Sequence, residues 1–169
     1  MKKYIILIPI FNDRESLTIL IEKINEELNS LNAEVSILVI NDASSQQIVD
    51  TYPNLENIHS LEVINMKQNR GHTRCIASGL KYIYEKKEFD FVIPMDGDGE
   101  DRPEEIKNFI KLSEKVGEQS IIGERVKRSE GFFFQLFYKF HKFLTLAFTG
   151  QSIKFGNFTC LSKSTIEKM

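Results

Sequence analysis

The sequence predicts an α/β domain with a mostly parallel sheet and helices on both faces. Three observations predict it. Short apolar runs rich in Ile and Val alternate with segments of helical periodicity. Each of the first four runs is followed within three residues by a cluster holding Asn, Asp or Gly. The 169 residues, 41% hydrophobic and 27% charged, suffice for one domain that buries roughly 70% of the surface its unfolded chain exposes.

The runs at 4–10, 35–40, 61–66, 89–95 and 120–123 are expected as buried strands. After the first, Asn12 and Glu15 stand three apart as a capping box. Leu17, Leu20, Ile21, Ile24, Leu28 and Leu31 then fall at helical spacing. Ile76, Leu80, Ile83 and Tyr84 mark a second helix. Pro103, a favoured first-turn residue, opens a third, marked by Ile106, Phe109, Ile110 and Leu112.

Composition excludes several classes. A formal net charge of −2 argues against a general nucleic-acid binder. Cys75 and Cys160 stand far apart, so neither a disulfide framework nor a structural zinc site is suggested. The histidines His59, His72 and His141 have no metal-ligand spacing. The N-terminal apolar run is broken by Pro9 and followed by Asn12-Asp13-Arg14-Glu15, unlike a signal peptide. With no run of about 18 apolar residues, no spanning helix is expected. A reducing, cytoplasmic compartment is expected.

The polar clusters locate the chemistry. Asn12-Asp13, Asn41-Asp42, Asn69-Arg70-Gly71 and 96–101 all fall at the carboxyl ends of expected parallel strands, where open α/β sheets bind ligands. Singly, each is an ordinary cap or turn; four on one edge imply a site. Asp96-x-Asp98-x-Glu100 is the strongest element. If strand alternation continues, its three carboxylates converge on one centre. A hard cation, Mg²⁺ or Mn²⁺ holding a diphosphate, resolves their repulsion. A Gly-Asp turn with solvated acids is the other reading. A calcium loop fits less well, because Glu100 fills its fifth position and Asp101 replaces its turn glycine. Neither a P-loop nor a dinucleotide fingerprint is present. Asp42 can accept from a base or ribose, and Phe11 can stack on the base.

These residues resemble the family 2 glycosyltransferases, which have the GT-A fold. The segment 8–17, Ile-Pro-Ile-Phe-Asn-Asp-Arg-Glu-Ser-Leu, is similar to their P-x-Y-N-E-x-x-x-L opening. Val39-Ile40-Asn41-Asp42-Ala43-Ser44 resembles V-x-D-D-G-S, and Asn69-Arg70-Gly71 through Gly79-Leu80 resembles N-x-G…A…G-L. The segment 94–104 is similar to the M-D-x-D-x-Q-x-x-P-E stretch of the branch holding dolichyl-phosphate mannose and polyprenyl-phosphate glucose synthases. Gly123-Glu124-Arg125 matches that branch's G-x-R, and Gly156-Asn157-Phe158 its late segment.

The resemblance implies roles. Pro9, Phe11, Asp13 and Asp42 would hold the base and ribose, with Asp96 also on the nucleotide. Asp96, Asp98 and Glu100 would bind the metal, and Arg125 would contact phosphate, so that Asp96, Asp98 and Arg125 form the catalytic set. Four departures stand out. Phe11 replaces the usual Tyr, Asp13 replaces Glu, Asn41 replaces the first Asp of the D-D pair, and Asn157 stands where relatives often have an acid. An amide at 157 cannot be a general base, which suits a phosphate acceptor already ionised at neutral pH.

The segment 131–149 puts Phe133, Leu136, Phe137, Phe140, Phe143, Leu144 and Ala147 on one helical stripe, with Lys139 and Lys142 opposite. Composition allows a core helix or one lying in a membrane interface; the resemblance implies the interface. Lys127 and Arg128 would then meet a lipid phosphate, the alternative being solvated surface cations. Ser164-Thr165-Ile166-Glu167 is a capping box announcing a helix just before Met169. A single catalytic domain over 1–169, truncated at its C-terminus, is therefore expected; relatives continue with further helices, some of them transmembrane.

The function so implied is metal-dependent, inverting transfer of a sugar from a nucleotide diphosphate donor (UDP or GDP) to polyprenyl or dolichyl phosphate, at the inner face of a membrane. One alternative is a family 2 enzyme acting on a saccharide hydroxyl, which needs a carboxylate base after residue 150, where Glu167 alone is available. A nucleotidyltransferase would want a Gly-rich basic loop after the first strand. A phospho-acceptor domain would want a Lys after the fifth. A catalytically degenerate nucleotide-binding domain is the remaining alternative.

Overall fold

The first strand decides the layering. In the computed structural model, which describes residues 1–29, 31–49, 52–123 and 158–169, β1 spans Lys3–Ile10 and is buried at every position after Lys3. Alternate side chains leave a strand on opposite faces. Tyr4, Ile6, Ile8 and Ile10 accordingly join one hydrophobic cluster, and Ile5 and Leu7 the other. Strand β2 (Glu34–Asn41) divides its apolar residues in the same way. The sheet therefore has no solvated face here and needs helices on both, as expected.

Helices supply that cover. On one face lie α1 (Arg14–Glu27), with Leu17, Leu20, Ile21 and Ile24 buried, and α3 (Ile106–Val116), with Ile106, Phe109 and Ile110 buried. On the other lies α2 (His72–Lys86), packed through Cys75, Gly79 and Ile83. Gly79 is required there: a Cβ would run into the side chains of Leu7 and Ile40. A buried polar bond ties α3 to the sheet. Ser113 Oγ donates to the Ile110 carbonyl at 2.7 Å, so the Tyr4 hydroxyl, 2.6 Å away, donates to Ser113.

The remaining strands are β3 (Ser60–Asn65), β4 (Phe91–Pro94), β5 (Ile121–Ile122) and β6 (Thr159–Ser162). A short 3₁₀ turn, Pro103–Glu105, leads into α3. The sheet order is β3-β2-β1-β4-β6-β5. Strands β3, β2, β1 and β4 are mutually parallel, in registers such as Ile10↔Asn41 and Leu7↔Pro94. Strand β6 runs antiparallel to β4, pairing Phe91 with Ser162. Internal contacts divide the chain into Met1–Ile121 with Phe158–Met169, which holds almost everything described, and Ile122–Asn157, of which only Ile122 and Gly123 are described.

Some expectations need correction. The cap of α1 is Asp13, whose carboxylate accepts from Ser16 N at 3.2 Å. Asn12 sits in a left-handed turn (φ 54°) and turns its side chain to Ser45 instead. Tyr84 and Leu112 are exposed, since their helices bury a narrower stripe than the apolar pattern drew. The strand expected at 89–95 pairs only over Phe91–Pro94. Strand β6, four residues with alternate ones buried, carries no apolar run and was not expected. The C-terminal helix α4 (Lys163–Ile166) has Ser162 at its cap position, with no side-chain capping bond, rather than the box beginning at Ser164. No helix among the described residues is long and apolar enough to cross a membrane.

Candidate functional site

Strand order places the site. Going outward from β1, the chain has moved to β2 and β3 on one side and to β4 on the other. Strands β1 and β4 are parallel neighbours at the point where the order reverses, so the loops leaving their carboxyl ends border the crevice that such sheets use for ligands. Residues 11–13 line it from β1 and residues 95–101 from β4. Met95 N donates to the Leu7 carbonyl at 2.9 Å, which fixes where the chain leaves the sheet.

The chain then turns instead of extending. Gly97 is buried, and a Cβ on it would lie 2.9 Å from the Pro9 carbonyl oxygen and 2.9 Å from Ile10 Cδ1. Glycine is what lets the loop cross β1 that closely. Gly97 and Asp98 form a turn, Glu100 N donates to Asp98 Oδ1 at 2.9 Å, and Asp101 Oδ2 accepts from Asp96 N at 3.0 Å. The alternation that was to bring Asp96, Asp98 and Glu100 to one centre therefore fails. Among the described residues no three carboxylate, imidazole or thiol groups stand close enough to hold a metal ion by themselves.

A second set of loops meets this one. Asp42, at the end of β2, is 4% exposed. Its Oδ1 accepts from Arg70 N at 2.7 Å and its Oδ2 from Gly71 N at 2.8 Å. Burial alone would raise this carboxyl; the two N–H bonds, with a further one from the Cys75 thiol, outweigh it and hold it below the ordinary carboxylate value. Burial and the same carboxylate push the Cys75 thiol up to about 12, so it stays protonated and donates. Asn41 is 5% exposed, donates through Nδ2 to Asn65 Oδ1 at 2.7 Å and accepts at Oδ1 from Ser44 N at 3.0 Å. Ser44 Oγ in turn accepts from Asn12 N at 2.9 Å, joining the β2 loop to the β1 loop.

The clamped turn at 70–71 starts α2, and its first residue crosses to β4. His72 Nε2 lies 2.7 Å from Asp96 Oδ1. The sequence pointed to Asp96 and passed over His72 as one of three scattered histidines; its place just after a strand-end Gly was the available signal. Asp101 was passed over likewise.

The expected site residues thus divide. Phe11 is half exposed, Asp96 half-buried, and Asp98 and Glu100 exposed. All four belong to the loops that follow β1 and β4. Pro9 is buried inside β1, Asp13 is spent on capping α1, and Asp42 has both oxygens engaged. Arg125, Lys127, Arg128, Asn157 and the segment 131–149 lie outside the described residues.

A parallel sheet with reversed strand order, and acidic and amide loops along its carboxyl edge, defines the class of α/β domain that takes a ligand at a switch point. The chain belongs to glycosyl transferase family 2, whose model matches residues 5–165. It is 25% identical over 167 residues to an undecaprenyl-phosphate 4-deoxy-4-formamido-L-arabinose transferase of Proteus mirabilis (strain HI4320), covering 97% of this chain and 49% of that protein. The chain thus spans about half the length of the curated relatives it matches. Among solved structures, it superposes on mannosyl-3-phosphoglycerate synthase from Rubrobacter xylanophilus with a TM-score of 0.66 at 16% identity, over 96% of this chain and 54% of that one. A mannosyltransferase from Pyrobaculum calidifontis, solved with GDP-Man and Mn²⁺, matches with a TM-score of 0.56 at 15% identity, over 99% and 46%. The fold is the GT-A glycosyltransferase fold that the sequence implied.

Proposed function

We propose that residues 1–169 form a single glycosyltransferase catalytic domain that moves a sugar from a nucleotide diphosphate donor to a polyprenyl phosphate. The observation that supports this is that Phe11 and the Asp96–Asp98 turn leave the carboxyl ends of β1 and β4, which are parallel neighbours where the strand order reverses. Phe11 offers an exposed ring for a base to stack on. Asp42 contributes by clamping the 70–71 turn that borders the crevice. The acceptor is drawn from likeness to the undecaprenyl-phosphate transferases.

Asp96 and Asp98 suit a hard divalent cation. Each spends Oδ1 on a hydrogen bond, leaving Oδ2 without one among the described residues. Two carboxylate oxygens with no thiolate fit Mg²⁺ or Mn²⁺, which completes its shell from diphosphate and water. Bound there, the cation would offset charge on the leaving diphosphate. Glu100 follows in the same turn. In the transfer, an acceptor phosphate oxygen attacks the anomeric carbon and the bond to the diphosphate oxygen breaks, its electron pair leaving with the nucleotide. One such displacement inverts the anomeric centre. The acceptor phosphate is already largely ionised at neutral pH, so no protein base is required.

Outside the described residues, Arg125 is proposed to contact phosphate. Lys127 and Arg128 are proposed to meet the lipid phosphate, with the segment 131–149 at the membrane interface. Replacing Phe137 and Phe140 by Ser should then weaken association with anionic liposomes, whereas global unfolding would assign that segment to the core.

The test is thermal stability with UDP, GDP, CDP or ADP, each with Mn²⁺, Mg²⁺ or EDTA. A nucleotide at about 100 times its dissociation constant should add roughly 2.7 kcal/mol. A shift for one nucleotide that EDTA removes is the expected result and names the donor base; no shift with any pair defeats the reading.

A further inference from the structure

We infer that His72 is a positioning residue for the cation-and-diphosphate site, holding Asp96 in the orientation that presents its second oxygen to the crevice. The inference rests on the donor-and-cation reading above and deepens it by naming a residue outside the carboxylate turn.

The geometry is a short relay. An ionised carboxylate only accepts, so His72 Nε2 donates to Asp96 Oδ1 across 2.7 Å. Asp96 is held from a second side, where its backbone N–H donates to Asp101 Oδ2 at 3.0 Å. Between them these bonds restrain both the backbone and the carboxylate of Asp96, and leave Oδ2 without a bond among the described residues. His72 is itself placed, because it is the first residue of α2 and the two amides before it are anchored on Asp42. Asp42 is buried at the end of β2. The sequence of contacts Asp42–Gly71–His72–Asp96 therefore carries the rigidity of the parallel sheet to a half-buried carboxylate that would otherwise rotate.

Stability does not account for the contact. The side chains are 59% and 35% exposed, and exposed pairs of this kind add little to folding. Orientation of a ligating carboxylate by a hydrogen-bond donor is, in contrast, worth roughly 10- to 100-fold in metal affinity. His72→Ala should therefore fold normally and lose binding, while His72→Gln, which keeps an N–H donor on a chain of similar reach, should recover most of it.

The experiment is calorimetric titration of wild type, His72→Ala, His72→Gln and Asp98→Asn. The titrants are Mn²⁺ at saturating nucleotide and the same nucleotide in EDTA, with circular dichroism confirming the fold. The expected result is Mn²⁺ affinity reduced about tenfold or more in His72→Ala, within about threefold of wild type in His72→Gln and lost in Asp98→Asn, with nucleotide affinity in EDTA equal in all four. If wild type binds no metal–nucleotide pair, the functional reading itself fails. If wild type binds and His72→Ala binds equally, or both His72 variants lose affinity alike, the positioning role is overturned. An unfolded His72→Ala, or equal loss of nucleotide affinity with and without metal, assigns His72 a structural role and overturns it too.

Discussion

The Asp42 carboxylate and the Gly71 amide are joined by a 2.8 Å hydrogen bond that fastens the turn before α2 to the end of β2. The same carboxylate takes the Arg70 amide at 2.7 Å. The turn is thereby pinned to the buried end of β2. Asp42 belongs to the set expected to touch a nucleotide, and both its oxygens accept from the backbone of this turn.

Removing that carboxylate strands two backbone donors. Asp42→Ala is expected to cost about 1–3 kcal/mol, towards the lower end because the turn itself is reached by water. Urea unfolding measures it; an unchanged midpoint would show that the clamp adds nothing.

The clamp also has a pH signature. The folded Asp42 carboxyl lies below its ordinary value, so its contribution is fully present above about pH 4–5 and fades as pH falls through the folded value. The stability difference between wild type and Asp42→Asn should be flat at neutral pH and shrink in acid. A difference that grew on acidification would contradict the assignment.

Gly97 sets the depth of the carboxylate turn. Gly97→Ala puts a methyl 2.9 Å from the Pro9 carbonyl, which cannot move without moving β1. A cost of about 1–3 kcal/mol is expected, with weaker metal-dependent nucleotide binding as Asp96 and Asp98 shift. Thermal melting and calorimetry on one preparation test both parts.

Asp98→Asn separates site from fold. Asp98 is exposed and its bond to Glu100 N can be kept by an amide oxygen. Melting temperature without ligand should stay as in wild type while metal-dependent nucleotide binding is lost. Retained binding would remove Asp98 from the proposed cation site.

Asn41 explains a departure from the family pattern. Its amide donates to Asn65 and accepts from Ser44, a pairing a carboxylate cannot make unless Asn65 turns over. Asn41→Asp would also bury a second charge beside Asp42. A loss of about 1–3 kcal/mol at neutral pH is expected, eased as acid neutralises the introduced carboxylate; acid-insensitive loss would point elsewhere.

Much of this was legible along the chain, and the reason is periodicity. Runs such as 4–10 are apolar on both faces because both faces are covered, so strand, layer and parallel topology follow from one pattern. The four polar clusters were legible because they directly follow those strands. Strand β6 was not, since its four residues earn their place by pairing with β4 and carry little apolar signal. Tyr84 and Leu112 were misplaced because spacing marks a stripe without saying how wide the neighbouring surface is.

The sequence by itself determined the family, the layering and the edge on which the chemistry sits, because those depend on local pattern and on collinear motifs. Only the tertiary structure decided which partners the polar side chains at that edge take. Asp13 became a helix cap, Asp42 and Asn41 became anchors, and His72 became a partner of Asp96. Sequence separation hides such assignments. Residues 42 and 71 meet because β2 and β3 end side by side, and 72 and 96 because α2 starts at that same edge of the sheet; a hydrogen bond is won by whichever donor the fold brings within 3 Å.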